Sequence, residues 1–221
     1  MTGQQLRLGL IVLAVVALGL IGYLVFGLMH GDVTSGTGQY AVTVTDHDRT
    51  MGSSSAPVVI VEYAAPTCPH CAAFDMEILP LIKKTFIDTG KVYYVFRVFP
   101  LSPVDSAAEA IGRCLSKENY FPFIDQLYRN QSRWDPDGYD IPDVHAALVA
   151  MGVGAGLSAQ KVDTCINDTS SRNAIDKVGT DAESKYGIDG TPSFLVNGEL
   201  RVGESTWADW QDYLNKRLAS K

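Results

Sequence analysis

The sequence predicts an α/β fold in which helices flank a mixed central sheet that is interrupted by a helical insertion. Two β-branched runs, residues 57–64 and 91–99, enclose one helix-forming segment. Segments with helical spacing fill residues 103–187, and a hairpin and a last helix follow them. This order of elements is typical of a sheet with both parallel and antiparallel strands.

The N-terminal segment is predicted to precede this domain as one transmembrane helix. Residues 8–29 carry no charge, and a helix of this length is about 33 Å long, enough to cross a bilayer core. The run is longer than the apolar region of a signal peptide and lacks a clear A-x-A cleavage site. We favour an uncleaved anchor within residues 1–30, with a cleaved signal as the alternative. Arg7 before the span and Asp32 after it favour a cytoplasmic N-terminus and an exported domain.

The remainder divides into a linker and one folded domain. Residues 31–55 are rich in Gly, Ser, Thr and Asp, which predicts a flexible tether. Residues 56–221 are long enough for one domain, with the helical insertion at about 101–178. The net charge of −7 argues against a general nucleic-acid binder.

The first strand and helix of the domain meet at a pair of cysteines. The strand ends before "PT", and the helix is predicted to begin at "CPHC" with Pro69 in its first turn, where a missing N–H costs nothing. Pro80 should kink or end this first helical segment. Later in the chain Ser158 is predicted as a helix N-cap and Gly187 as a C-cap. Asn197-Gly198 is predicted as the turn of a hairpin within 191–203.

Cys68 and Cys71 have the spacing and placement of a redox pair. At a helix N-terminus, unpaired N–H groups and the helix dipole stabilise a thiolate at Cys68, and His70 can add a donor or a positive charge. A low pKa makes this sulfur a good leaving group in disulfide exchange. Cys71, one turn further along, should be less exposed, which suits a resolving cysteine.

Two other roles for this pair are disfavoured. A zinc site needs four ligands, but Cys114 and Cys165 stand far apart and the histidines are scattered, so no metal is expected. A purely structural disulfide is disfavoured because so small a ring is strained and easily reduced. Pro192 in "GTPSFLV" immediately precedes a strand, and a cis bond and a trans turn proline remain equally open there.

Several stretches together resemble the DsbA-like branch of the thioredoxin superfamily. They are "GSSSAPVVIVEYAAPTCPHCAAF", "VFRVFPLSP", "FIDQLYRNQSRW" and "YGIDGTPSFLVNG". The resemblance implies a thioredoxin fold and a protein disulfide oxidoreductase without a cofactor. It implies that Cys68 forms the mixed disulfide with a client and that Cys71 resolves it. It further implies that Thr191-Pro192 is a cis-proline loop that faces "CPHC", including Pro69, and binds extended client segments.

The resemblance also assigns a role to Glu62. The family keeps a buried acid at this place beneath the cysteines, where it transfers protons to and from the buried cysteine. The alternative is a strand glutamate that faces solvent at a sheet edge. Arg97 on the second strand is either a charge partner of Glu62 or a solvent-exposed arginine.

Cys114 and Cys165 are predicted to form a second, structural disulfide. All four cysteines lie on the exported side of the predicted span, and an even number in an oxidising compartment permits two disulfides. A loop of about 50 residues would contribute roughly 4 kcal/mol as an upper figure. Two buried free thiols are the alternative.

The sequence therefore predicts an exported oxidoreductase that forms disulfides in reduced secreted proteins. A monomer is expected at the periplasmic side of the inner membrane, anchored by the uncharged residues 8–29. The resemblance implies that a quinone-linked, DsbB-like oxidase reoxidises it. One departure from the family pattern is that Thr191, and not Val, precedes the proline. Thr is found at this position in isomerase-like and some Gram-positive DsbA-like members. A reductase or isomerase with the same cysteines is the first alternative, and a non-catalytic client- or metal-binding module is the second.

Overall fold

The centre of the molecule is a five-stranded sheet with the strand order β1-β3-β2-β4-β5. The computed structural model describes residues 40–45, 47–203 and 205–220. The strands are β1 (Arg49–Met51), β2 (Val58–Ala64), β3 (Val92–Val98), β4 (Ser193–Val196) and β5 (Glu199–Val202). Strands β2 and β3 are parallel, and the other neighbouring pairs are antiparallel. The predicted mixed sheet is confirmed.

Helices surround the sheet, and most of them lie between β3 and β4. Helix α1 covers residues 69–87, and α8 (Trp207–Ala219) ends the described chain. The helices between β3 and β4 are α2 (Pro103–Cys114), α3 (Lys117–Arg129), α4 (Gln131–Trp134), α5 (Val144–Gly154), α6 (Ala159–Ile166) and α7 (Thr169–Tyr186). Helix α7 runs past residue 178, the predicted end of the insertion, and packs against β3.

Helix α1 does not leave its helical path at Pro80. It consists of α-helical turns at Pro69–Ala73 and Leu79–Ile82, each followed by a π-helical turn, at Phe74–Ile78 and Lys83–Ile87. Pro80 falls in the first turn of the second α-helical piece, where proline is tolerated. The wider turn before it lets the helix continue without the N–H that proline lacks.

The register of the sheet separates two apolar faces. Glu62 on β2 is level with Phe96 on β3 and Phe194 on β4, and these three side chains share the face that α1 and α8 cover. Phe194 packs on Phe74 of α1 and on the fully buried Trp210 of α8. The opposite face carries Val61, Tyr63, Val95 and Leu195 and is covered by α7 and residues 40–44. Alternation along β2 therefore places Glu62 inside the larger core.

The tether predicted for residues 31–55 ends earlier than expected. Residues 31–39 lie outside the described part, but the Tyr40 N–H donates to the Gly198 carbonyl at 2.8 Å, and β1 pairs with β3. A start of the folded domain near residue 56 is therefore wrong. The three residues of β1 are too few for a hydrophobic alternation, so the polar composition around them conceals the strand.

The predicted membrane anchor at residues 8–29 lies outside the described residues. Within residues 40–45, 47–203 and 205–220, the structure contains no helix that is both long and apolar enough to cross a membrane.

Candidate redox site

Cys68 caps the N-terminus of α1. Its backbone is extended, with φ −72° and ψ 119°, and its Sγ accepts the Cys71 N–H at 3.2 Å. Both cysteines are free thiols in this structure, and Cys68 is 4% exposed whereas Cys71 is fully buried. The strand–helix junction therefore brings Cys68 to the surface side of the pair and Cys71 to the core side, as the sequence predicts.

The two thiols have opposite pKa displacements. A hydrogen bond from the Cys71 thiol, assisted by the N–H groups of Cys71 and His70, lowers the pKa of Cys68 to about 6 against the opposing effect of burial. Burial, together with the negative charges of Cys68 and Glu62, raises the pKa of Cys71 far above its usual range. At neutral pH the pair therefore holds one thiolate, at Cys68, and one thiol, at Cys71.

The loop before β4 closes over this pair from a distant part of the chain. The Thr191–Pro192 peptide bond is cis, and the Cys68 Sγ lies 3.4 Å from the Thr191 carbonyl oxygen. Pro192 is buried, and β4 begins at the next residue. The structure thus places Thr191 and Pro192 beside "CPHC", as the resemblance implies.

Glu62 lies on a central strand of the sheet and is 2% exposed. Tyr94 on β3 donates its hydroxyl hydrogen to the carboxyl Oε2 of Glu62. Burial raises the pKa of Glu62 to about 8, although the Tyr94 hydrogen bond opposes this rise and the charges of Asp75 and Cys68 add to it. A buried acid with such a pKa can both hold and release a proton near neutral pH. The alternative of an edge-facing glutamate is excluded by this burial.

Arg97 is not the charge partner of Glu62. Its guanidinium binds Asp48, with Nε 2.8 Å from Oδ1, and also donates to the Tyr63 hydroxyl at 2.9 Å. In the register of β2 and β3, Arg97 is paired with Tyr63, whereas Glu62 is paired with Phe96, one residue earlier on β3. The two side chains therefore point to opposite faces of the sheet, and neither sequence-based interpretation of Arg97 is correct.

Two residues of the insertion contact the active-site loop, and sequence reasoning missed both. Asp105 on α2 is fully buried and accepts the Thr67 N–H at 2.9 Å and the Thr67 hydroxyl at 3.1 Å. Gln131 on α4 donates from Nε2 to the carbonyls of Pro66 and Cys68, at 2.9 and 3.2 Å. Asp105 also completes a capping box with Ser102, a local signal that reveals the helix start but not the contact with Thr67. No local sequence pattern indicates the contact of Gln131 with the active-site loop.

A groove of about 510 Å³ runs along the exposed edge of the pair. The groove is lined by residues of the active-site loops and by Leu101, which is 53% exposed. The loop residues include Cys68, Pro69, His70 and Thr191. The groove is open to solvent, and Cys68 is part of its lining.

Cys114 and Cys165 are joined by a disulfide with their Cα atoms 6.4 Å apart. The bond links the C-terminus of α2 to α6, two helices of the insertion. The part of the chain that the structure describes contains no group of three or more His, Cys, Asp or Glu side chains arranged to hold a metal ion.

A cysteine pair at a helix N-terminus, a cis-proline loop next to it and a buried acid whose charge acts on Cys71 are the features that the thioredoxin resemblance implies. A family model described as Thioredoxin matches residues 44–216. The chain belongs to this family.

Relatives and solved structures place the chain near the DsbA-like members. It is 32% identical over 167 residues to a Rickettsia typhi protein named as a protein-disulfide oxidoreductase, covering 75% of this chain and 60% of that protein. It is 29% identical over 197 residues to a Bacillus cereus protein named as disulfide bond formation protein D, covering 86% of this chain and 87% of the other. The chain thus spans about 60% of the length of the Rickettsia relative.

The crystal structure of Wolbachia pipientis alpha-DsbA1 superposes with a TM-score of 0.74 at 27% identity, covering 81% of this chain and 94% of that one. BdbD from Bacillus subtilis shares the fold, with a TM-score of 0.69 at 21% identity over 82% of this chain and 97% of that one. The chain is therefore a DsbA-like member of the thioredoxin superfamily.

Proposed function

We propose that this protein is an exported thiol-disulfide oxidoreductase that forms disulfides in reduced secreted proteins. The observation that carries the proposal is the opposite pKa displacement of two neighbouring thiols. The pKa of Cys68 falls to about 6 and that of Cys71 rises. Stabilising the Cys68 thiolate stabilises the reduced form, and a pair with a stable reduced form is a strong oxidant.

The working form holds a disulfide between Cys68 and Cys71. A client thiolate attacks the Cys68 sulfur, a client–Cys68 bond forms, and Cys71 leaves with the electron pair. A second client thiolate then attacks the client sulfur of this mixed disulfide. The client gains a disulfide, Cys68 leaves as a thiolate, and the protein has accepted two electrons.

Glu62 supplies the proton that the leaving Cys71 needs. Cys71 is fully buried, so its thiolate is costly until it is protonated. Glu62 lies in the same core and has a pKa of about 8, so its neutral form is available at physiological pH. Reoxidation requires the reverse transfer, from Cys71 to the Glu62 carboxylate.

The client segment occupies the groove beside Thr191 and Pro192. Backbone N–H groups at the N-terminus of α1 stabilise the Cys68 thiolate, and one of them belongs to the exposed residue His70. Pro69 and Leu101 supply apolar surface for the side chains that flank the client cysteine. An extended client would pair with the backbone of the cis-proline loop.

Reoxidation and location follow from the same proposal. A quinone-linked, DsbB-like oxidase in the membrane would return the pair to the disulfide. Residues 8–29 would anchor the protein at the extracytoplasmic face of the inner membrane, where an oxidising compartment supports both disulfides.

A reductase or isomerase that uses the same cysteines is a second candidate. The feature that favours it is Thr191 before the cis proline, because the family resemblance associates Thr rather than Val at this position with isomerase-like members. The direction of exchange distinguishes the two, because an oxidase transfers its disulfide to a reduced client and a reductase consumes one.

The test is refolding of reduced hirudin by the oxidised protein, followed by the appearance of native disulfides. We expect stoichiometric disulfide transfer by the native sequence and none by Cys68→Ser. The control variant is Ser158→Ala, a change at the N-cap of α6, and it should transfer disulfides as the native protein does. Equal transfer by native protein and Cys68→Ser would contradict the proposal and favour a non-catalytic binding module. Preferential reduction of insulin by the reduced protein would favour the reductase.

A further inference from the structure

Side chains from the helical insertion hold the loop that carries Cys68. Both polar atoms of the Pro66–Thr67 peptide group are bound by them, its N–H by Asp105 and its carbonyl by Gln131. A peptide group fixed at both ends cannot rotate without breaking a hydrogen bond. The orientation of the loop therefore depends on α2 and α4 as well as on the thioredoxin-type sheet.

The second bond from Gln131 reaches the Cys68 carbonyl itself. This oxygen also accepts the Ala72 N–H at 3.1 Å, so both of its lone pairs are used. The Gln131 amide has two hydrogens and two carbonyl acceptors, Pro66 and Cys68. Gln131 thus bridges the two sides of Thr67, while the Cys68 N–H is bound by the Ala65 carbonyl at 3.0 Å.

We infer that Gln131 is a positioning residue that keeps the Cys68 sulfur aligned with the N–H groups of α1 and thereby keeps the Cys68–Cys71 pair oxidising. The carbonyl bond fixes the backbone of Cys68, which in turn sets the direction from Sγ to the Cys71 N–H, now 3.2 Å away. The side-chain hydrogen bonds of Gln131 go to the carbonyls of Pro66 and Cys68 and not to a sulfur atom, so Gln131 acts through the backbone.

This role differs from general support of the fold. Gln131 is half-buried, at the first position of a four-residue helix, so its loss should cost the folded state little. Asp105 cannot test the idea as cleanly, because it also accepts the N–H groups of Leu101 and Ser102 and completes the cap of α2.

The informative variant is Gln131→Met, which keeps the length of the side chain and removes both donors. A hydrogen bond of ordinary strength corresponds to about half to one pKa unit at Cys68. At pH 7 the reduced form should be less favoured by about twofold to sixfold in equilibrium with glutathione. Gln131→Glu should shift the pKa further in the same direction, because its carboxylate repels both carbonyls and the nearby thiolate.

The control is Gln160→Met, the same change on an exposed glutamine of α6. Each protein is titrated for the Cys68 pKa, equilibrated with glutathione and melted in both redox forms. We expect Gln131→Met to raise the pKa and disfavour the reduced form, and Gln160→Met to match the native protein.

The inference rests on the proposed function, and the two fail in different ways. If the native pair shows an ordinary Cys68 pKa, the proposed function fails. If the native pair is oxidising and folded Gln131→Met matches it, the inference alone is overturned. Equal loss of melting temperature in both redox forms with an unchanged pKa would also overturn it, as would failure of both Gln131 variants to fold, because Gln131 would then be part of the scaffold.

Discussion

The phenol of Tyr94 donates a hydrogen bond to the buried carboxyl of Glu62 between two neighbouring strands of the sheet. This bond gives the acid one fixed partner in an apolar core and opposes the rise in its pKa. The pKa of Glu62 therefore stays near neutrality, and its carboxyl can gain or lose a proton at a place where its charge acts on Cys71.

Glu62→Gln should stabilise the protein and slow its exchange chemistry. The folded pKa of about 8 lies above the ordinary value of 4.5, so the folded state retains a proton that the unfolded state has lost. Glu62 therefore costs stability progressively as pH rises from 4.5 to 8. We expect the free energy of unfolding at pH 7 to rise by on the order of 3 kcal/mol, with little change at pH 4.

Exchange by Glu62→Gln should slow because Cys71 loses its proton donor, and the rate of client oxidation measures this. Glu77→Gln, at an exposed position of α1, is the matched control and should change neither quantity. A stability of Glu62→Gln that equals the native value at pH 7 would show that the carboxyl is not held in the neutral form.

Asp48→Asn should loosen the segment that leads into β1. Asp48 and Arg97 are only 10% and 14% exposed at their side chains, so removing one charge leaves the other poorly solvated. We expect a loss of about 1–3 kcal/mol in urea unfolding at pH 7. Burial would raise the pKa of Asp48, but hydrogen bonds from Arg97 and Thr45 outweigh it and lower the pKa, so the contribution of this pair is present above pH 4 and is lost as pH falls further.

Asp88→Asn is the control for the Asp48 variant, because it breaks the Lys83–Asp88 pair, whose side chains are about half exposed. It should cost less than about 1 kcal/mol. Equal effects of Asp48→Asn and Asp88→Asn would mean that the N-terminal segment is not held by Arg97.

The double variant Cys114→Ala/Cys165→Ala should lose up to about 4 kcal/mol of stability, since the bond closes a loop of some 50 residues. The loss should be the same whether the Cys68–Cys71 pair is oxidised or reduced, and denaturant unfolding of both forms measures it. Peptide mass mapping without reduction gives a direct check. Free thiols at Cys114 and Cys165 in protein from an oxidising compartment would refute the structural role.

Local patterns sufficed for the elements that carry the cysteines. The β-branched run before "PT" predicted β2, and the "CPHC" spacing with Pro69 placed Cys68 at the start of α1. Asn197, at φ 48°, and Gly198, at φ 84°, form the predicted hairpin turn. Each of these features depends on residues that are adjacent in the chain, so the sequence displays them.

Features that depend on register or on distant contacts could not be predicted in the same way. Whether Arg97 faces Glu62 depends on a one-residue phase between β2 and β3, which neither strand reveals alone. The contact of Gln131 with the Cys68 loop joins residues 63 positions apart. Strand β1 is formed by pairing with β3 rather than by a pattern of its own.

The pH dependence of the Cys68 thiolate absorbance, combined with the glutathione equilibrium of the pair, measures whether Cys68 is an acidified thiol in an oxidising pair. We expect a Cys68 pKa of about 6 and a pair that is reduced far more readily than thioredoxin. Because this pKa is lowered in the folded, reduced protein, the stability of the reduced form should fall as pH drops from 9 through 6. A Cys68 pKa of about 8.5, with an equilibrium like that of thioredoxin, would contradict the proposal that this protein is a disulfide-forming oxidant.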